Sequence, residues 1–387
     1  AQAILAQARA AFESEGRWNC RPLAFALAFL CVCALVGDLG SLPTMADEPE
    51  PFGSRNVALQ HTTMSAEDAC PKVAKHWRHR ALATSLGDAR AVVQADMHPN
   101  CSLLAVAPPA YAMRDSVDAV LQILVSGDAA GLAVRRTFGC ASYTPLCIRV
   151  LSPNAVLALV ECWTTGAAGG ACRVLVGQIW TEAASGVYSV AHEDVNVDVA
   201  PPELDPEAAY GTIEQGMLGR KRIDQAWGAT ATAWLDGVKA RYCACQSTEE
   251  SKRVSCDVDA STDVSLVIRH PDFGTRQTYP MQIVHGGHAF AERYAVMFPS
   301  SARFPAATLL THYEVLHARR LAPGLCLVLF FITDHDSVTG RFHVAETNVV
   351  RKDLGGQWRR CHDMVQALRF LGRSPGNCGG AAAKSFL

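Results

Sequence analysis

The sequence predicts an α+β protein. Two tandem domains each fold a curved antiparallel sheet over N-terminal helices, behind one N-terminal transmembrane helix. Three observations predict this. Residues 22–37 are uncharged. The body of the chain repeats its order of elements at a constant offset. In each copy helical periodicity comes first and strand alternation last.

The chain has 387 residues, 49% hydrophobic and 19% charged, enough for two or three domains with sizeable cores. Its net charge of −2 and pI near 6.7 give no electrostatic basis for binding nucleic acid, so no such partner is expected. The 15 cysteines include two CxC pairs, Cys31/Cys33 and Cys243/Cys245, but no CxxC and no zinc-type cluster. Most are expected to be small buried hydrophobes. No cofactor or metal is expected.

Residues 1–21 read as a helix, with Ile4, Leu5, Ala8 and Phe12 on one face. Between Arg21 and Asp38 the 16 uncharged residues would span about 24 Å as a helix, a little short of a bilayer core of about 30 Å. Extension through Leu42 closes the gap, so a transmembrane helix over 22–42 is the favoured reading. A signal-peptide core and a buried core helix are the rivals. Arg17 and Arg21 precede the run while Asp38, Asp47, Glu48 and Glu50 follow it, which sends the soluble part across the membrane. A Pro- and acid-rich linker covers 43–68. Residue 1 is Ala rather than Met, which suggests an upstream targeting segment.

The body divides at VAPPELDPEAAYG (Val199 to Gly211). The expected boundaries are 69–200 for domain 1, 201–220 for a linker, 221–371 for domain 2 and 372–387 for a tail. His192 lies four residues after Tyr188 and six after Gly186; His362 lies four after Trp358 and six after Gly356. These histidines are 170 residues apart, and at that offset Leu151, Pro153, Leu157 and Leu159 fall on Leu321, Pro323, Leu327 and Leu329. The correspondence is that of an internal duplication. Each copy opens with a helix, 72–95 and 225–245, continues with a short strand and a helix, and ends in three or four long strands. Short Gly-rich loops make those strands antiparallel hairpins.

This order, with aromatic-x-x-x-His on the last strand, resembles the nuclear transport factor 2-like superfamily. That group includes SnoaL-like cyclases, ketosteroid isomerase and the association domain of calmodulin-dependent kinase. The last two strands of copy two, HVAETNVVRKDLGGQWRRCHDM, look most like the association-domain branch. Trp77, Ala81, Leu82, Gly87, Asp88 and Ala89 fit the superfamily's opening pattern. The resemblance implies cone-shaped domains whose mouths can hold an apolar ligand, and it does not by itself imply an activity.

Candidate pocket residues follow from that cone: Trp358, His362, His317, His343 and Glu346 in copy two, and Tyr188 and His192 in copy one. Trp358 and His362 are an even number apart, so both are expected to face the cone. Copy one otherwise looks poor in polar groups. A structural hydrogen bond is the favoured role for His362, with acid–base work by a His–acid pair as the alternative. HGGH (His285 to His288) reads as a helix start rather than a metal site, and DHD (Asp334 to Asp336) as hairpin chemistry. Cys162 and Cys172 flank a hairpin symmetrically and form the candidate disulfide. No GxSxG, Walker or Rossmann fingerprint is present.

The expected function is therefore a non-catalytic, membrane-anchored accessory subunit. It would scaffold other subunits of an organellar membrane complex, thylakoid or mitochondrial inner, with its soluble domains opposite the N-terminus. The alternatives are a SnoaL- or isomerase-like enzyme, and a binder of a small apolar ligand in the second cone.

Overall fold

The structure is a computed structural model. It describes residues 66–108, 110–165, 170–182, 187–198, 222–223, 225–245, 247–268, 271–272, 277–278, 281–297, 313–337 and 340–370. Residues 1–60 and 61–387 form separate units. The N-terminal helix, the apolar run 22–42 and the tail 372–387 lie outside the described residues. Among the described residues no helix is long and apolar enough to cross a membrane.

Repeat 1 opens with α1 (Ala66–Leu82) and α2 (Leu86–Asp96). One continuous helix was expected here. The break comes at Ser85, which caps α2 in a reciprocal box with Asp88. There follow β1 (Met97–Ala107), β2 (Ala110–Arg114), α3 (Val117–Ile123), α4 (Ala129–Arg135) and a meander of β3 (Ser142–Ser152), β4 (Ala155–Thr165), β5 (Ala171–Glu182) and β6 (Tyr188–Val197). The sheet order is β2-β1-β6-β5-β4-β3. The meander is antiparallel as expected, but β1 pairs with β6 in parallel.

Repeat 2 begins at β7 (Arg222–Ile223) and α5 (Gln225–Ala244), then α6 (Thr248–Val254) and a π-helical turn, Ser255–Asp259. After β8 (Ala260–Ile268) come two short strands, β9 (Pro271–Asp272) and β10 (Gln277–Thr278), then β11 (Gln282–His285) and α7 (Gly287–Met297). Its meander is β12 (Tyr313–Ala322), β13 (Leu325–Ser337), β14 (Gly340–Lys352) and β15 (Trp358–Phe370). The order β11-β8-β15-β14-β13-β12-β7 repeats that of the first sheet, with β7 added at one edge.

The duplication extends to irregularities. An extra residue bulges β3 at Leu146 and Leu151, and β12 at Leu316 and Leu321. Further bulges fall at Ala191 in β6 and Cys361 in β15. Each pair obeys the 170-residue offset.

Strands β4, β5 and β6, and the described side chains of β13, β14 and β15, are buried on both faces almost throughout, whereas the edge strand β3 is mostly half-buried. The inner face of sheet one packs on its helices through Trp77, Val93, Val134, Val176, Trp180 and Val195. The inner face of sheet two does so through Trp234, Tyr242, Phe290, Val328 and Val350. The outer faces pack on each other: Leu104, Leu157, Leu159, Leu175 and Ile179 meet Leu316, Leu327, Leu329, Phe331 and Met364 in one apolar layer. The copies therefore form an internal pseudo-dimer. Strands covered on both sides read as apolar runs rather than strict alternation.

That interface is reciprocal. A bulge frees a backbone carbonyl from the ladder. Arg149 of repeat 1 donates to the carbonyl of Cys361, and Arg319 of repeat 2 donates to the carbonyl of Ala191. Donors and acceptors are both 170 residues apart, so each repeat's arginine satisfies the other's bulge.

Candidate functional site

The interior of repeat 1 holds a polar network. Arg80, on the inward face of α1, donates two hydrogen bonds to Glu193 of β6 at 2.8 and 2.9 Å. Its guanidinium lies 4.4 Å from the ring centroid of Phe138 and 5.0 Å from that of Trp77. Gln178 accepts from Trp77 Nε1 at 3.2 Å and donates to Glu193 at 2.6 Å and to His76 at 3.1 Å. An amide nitrogen only donates, so His76 Nε2 accepts. Its proton then sits on Nδ1, 2.7 Å from Asp96 Oδ2. Burial keeps His76 neutral by lowering its pKa, against the Asp96 hydrogen bond. Burial would raise Glu193, but the charge and hydrogen bonds of Arg80 hold it below the carboxylate range. Copy one is thus not poor in interior polar groups, contrary to expectation. They come from the helix as well as the strands. His76 and Arg80 continue the buried face of Ala69, Val73 and Trp77, a spacing visible in the sequence.

The interior of repeat 2 reaches a similar end differently. Its buried arginine, Arg360, comes from β15. It donates to Asp363 at 3.0 Å and lies 3.4 Å from both Glu346 and Asp259. It sits 5.3 Å from the ring centroid of Trp234. Arg241 and Tyr242 of α5 also bond Asp259, at 3.2 and 3.3 Å. Glu346 and Asp363 are fully buried beside each other. Burial raises both, and Arg360 only partly counters it. Raised together, Glu346 and Asp363 favour holding a proton over two carboxylate charges side by side.

A cleft of about 630 Å³ opens beside this network, between α5 and the β14–β15 turn. Thr230, Trp234, Arg241, Val258, Gln357 and Trp358 line it. Trp234 Nε1 is buried without a hydrogen-bond partner.

The predicted pocket residues divide between two faces. Trp358 and Tyr188 lie on the inner faces. Trp358 meets Trp227 edge to face at 5.7 Å, and Tyr188 donates to the Pro153 carbonyl at 3.3 Å. Glu346 is also inside. His192 and His362 are not, which corrects the expectation that they face the cones. The bulges at Ala191 and Cys361 fall between aromatic and histidine, and one extra residue reverses the phase. Both histidines therefore lie in the layer between the repeats. His317 stands opposite Leu329 and shares that outer face. Glu346 and His362 consequently belong to different sites and form no acid–base pair. His343 pairs along the backbone with Arg369, and its side chain lies outside the described residues.

Between the repeats, His192 Nδ1 is 2.8 Å from Ser102 Oγ, and its Nε2 is 3.0 Å from Asp194. Thr347 of repeat 2 donates to Asp194 at 2.9 Å. In the other copy His362 lies 2.9 Å from Ser265 Oγ. Burial, then the charge of Arg149, lowers the pKa of His362 to about 3. Ser102, His192 and Asp194 are the residue types of a hydrolytic triad. Each is at most 1% exposed, beneath the other repeat, so no substrate can reach Ser102. The acid's counterpart in copy two is Met364. The Ser–His contact is repeated in both copies, Ser102 with His192 and Ser265 with His362.

The candidate disulfide is corrected as well. Cys162 stands opposite Val174, and Cys172 opposite Thr164, two pairing steps apart. Both thiols are free. HGGH does begin a helix: Gly286 takes φ +91° and α7 starts at Gly287. The DHD stretch lies within β13, with its side chains outside the described residues. Among the described residues no group of three His, Cys, Asp or Glu is placed to hold a metal ion.

No protein-family model matches the sequence, and no curated protein matches it. Solved structures similar to the chain are nuclear transport factor 2-like, ketosteroid isomerase-like and association-domain-like proteins. One from Shewanella oneidensis, of the first kind, is 11% identical and covers 33% of this chain and 98% of its own, at a TM-score of 0.26. A ketosteroid isomerase-like protein from Erwinia carotovora is 15% identical and covers 34% and 96%, at 0.25. A calcium/calmodulin-dependent kinase II association domain from Xanthomonas campestris is 12% identical and covers 34% and 86%, at 0.24.

Proposed function

We propose that this protein is a non-catalytic scaffold subunit of a membrane complex, tethered through residues 22–42. The supporting observation is that both domain interiors hold buried ion networks, centred on Arg80 and Arg360. A concave sheet kept for catalysis leaves its polar groups facing a cavity. Here they pair with one another and with aromatic rings, so the fold is maintained as a shape. The uncharged run supports the tether, and an organellar energy-converting membrane is the setting proposed for it. Native protein purified in mild detergent is expected to bring other subunits with it and to stay with the membrane through alkaline carbonate extraction. Recovery as a lone monomer would sink the scaffold reading, and release by carbonate would sink the tether.

One observation favours a second reading. The cleft between Trp234 and Trp358 could hold a flat apolar ligand whose acceptor takes the unpartnered Trp234 N–H. Quenching of tryptophan fluorescence by hydrophobic carbonyl compounds, lost in Trp358→Ala, is the expected sign. A flat titration across a broad set would remove this reading.

A further inference from the structure

Helix α5 turns one face to the cleft beside the second network. Thr230, Trp234, Gly237 and Arg241 follow one another at helical spacing and all line it, facing Gln357 and Trp358 at the β14–β15 turn. Gly237 opens the middle of that face. A Cβ there would come within 3.2 Å of Arg241 Nη1, so the guanidinium folds back along the helix over the glycine. Gly237 lies one turn beyond Trp234, about 4.5 Å along the axis. The charge and the indole are therefore neighbours on the cleft wall.

Both side chains have a spare donor. Among the described residues, Trp234 Nε1 and Arg241 Nε are buried without a hydrogen-bond partner. Trp234 is only 7% exposed, and a buried donor left unsatisfied is costly, so an acceptor is expected there. Repeat 1 shows the contrast. Its tryptophan also lies beside the buried arginine, but there Trp77 Nε1 donates to Gln178. At the 170-residue offset Gln178 becomes Asn348, one methylene shorter, and that amide donates to Glu346 at 2.8 Å. The indole donor of repeat 2 is thus left to the cleft. Arg241 keeps 32% of its side chain exposed, and the acid it bonds, Asp259, also lies 3.4 Å from Arg360. An anion entering the cleft meets a positive charge that Asp259 answers only in part.

We propose that the cleft binds a planar aromatic carboxylate. The carboxylate accepts from Arg241 and from Trp234 Nε1, and the ring lies against Trp358. At about 630 Å³ the cleft has room for a ligand of several fused rings. Arginine and a carboxylate form charge-assisted bonds that a neutral carbonyl cannot match. The assignment rests on the cleft being a ligand site, as in the second reading above, and adds that the ligand is an anion.

Isothermal titration calorimetry of the full-length protein at neutral pH, with naphthoate and with its neutral amide naphthamide, separates the two claims. Naphthoate should bind about tenfold more tightly, the difference between a charge-assisted and a neutral hydrogen bond. Arg241→Gln should bring naphthoate down to the affinity of naphthamide, while persisting naphthamide binding shows the cleft intact. Gly237→Ala keeps the charge but displaces the guanidinium, and should weaken naphthoate alone. Trp358→Ala should weaken both. Equal affinities for acid and amide, or a naphthoate preference that survives Arg241→Gln, overturn the proposal and leave the ligand reading standing. Binding of neither compound removes both. Where Arg241→Gln fails to fold, the wild-type preference and Gly237→Ala decide, and a preference untouched by Gly237→Ala overturns the proposal.

Discussion

At Arg80 a single side chain neutralises a buried acid, stacks on two rings and lowers a neighbouring thiol. Both partners of the Arg80–Glu193 pair are 1% exposed. Arg80→Ala should cost about 3–5 kcal/mol in denaturant unfolding, because Glu193 is left charged and buried. Arg80→Met with Glu193→Leu should recover most of that loss, since neither charge then needs solvation. The pH dependence has two opposing parts. Glu193 is depressed when folded, so its contribution is present above the ordinary carboxylate range and is lost as pH falls below it. Glu346 and Asp363 are raised when folded, so theirs is full below the ordinary carboxylate range and is lost as pH rises above it through their raised values. His362, lowered from 6.5 to about 3, loses stability as pH falls between those values. In His362→Gln the slope of unfolding free energy against pH should flatten in that window. An unchanged slope would show that the ring is not the titrating group.

At the scale of elements, bulges and tight approaches outweigh propensity. Gly131 lies in α4, where Ala would ordinarily gain about 1 kcal/mol as a helix former. Here a Cβ would sit 2.7 Å from the Ile123 carbonyl oxygen and 2.8 Å from that of Ser126. Gly131→Ala should therefore lower the melting temperature despite its better propensity, and a rise would refute the close packing of α3 on α4. The bulges at Ala191 and Cys361 have a similar status. Each breaks a strand's alternation, sends the following histidine to the other face and exposes a carbonyl for an arginine. The paired sequences CIRVLSP and HARRLAP both carry Arg two residues before Leu and four before Pro. That repeated arginine was a legible signal of the interface, and its meaning depended on a partner strand far away in the chain.

At the scale of the molecule, the two sheets act as each other's solvent shield. Arg149→Ala and Arg319→Ala each leave a buried carbonyl unsatisfied, and each should cost about 1–3 kcal/mol in denaturant unfolding. The two costs should be similar, because the contacts are related by the pseudo-twofold. Residues 66–198 expressed alone would expose Leu157, Leu159, Leu175 and Ile179 on a flat apolar face. That fragment should self-associate in sedimentation equilibrium. A stable monomer would show that the outer face needs no cover.

The sequence by itself determined the duplication, its 170-residue offset, the helices-then-meander order and the helix start at HGGH. These rest on local periodicity and turn chemistry, which act over a few residues and survive in both copies. Only the tertiary structure decided which face each side chain occupies. One bulge residue moved His192 and His362 from the cones to the layer between repeats, and spacing alone cannot register an inserted residue. Likewise Cys162 and Cys172 stand two pairing steps apart on their hairpin, a register that their symmetric spacing did not reveal. The interior of repeat 1 looked apolar on its strands, and its charge network came from a helix about a hundred residues earlier. Such pairings depend on how distant elements pack, because a buried charge is tolerated only where the fold supplies its partner.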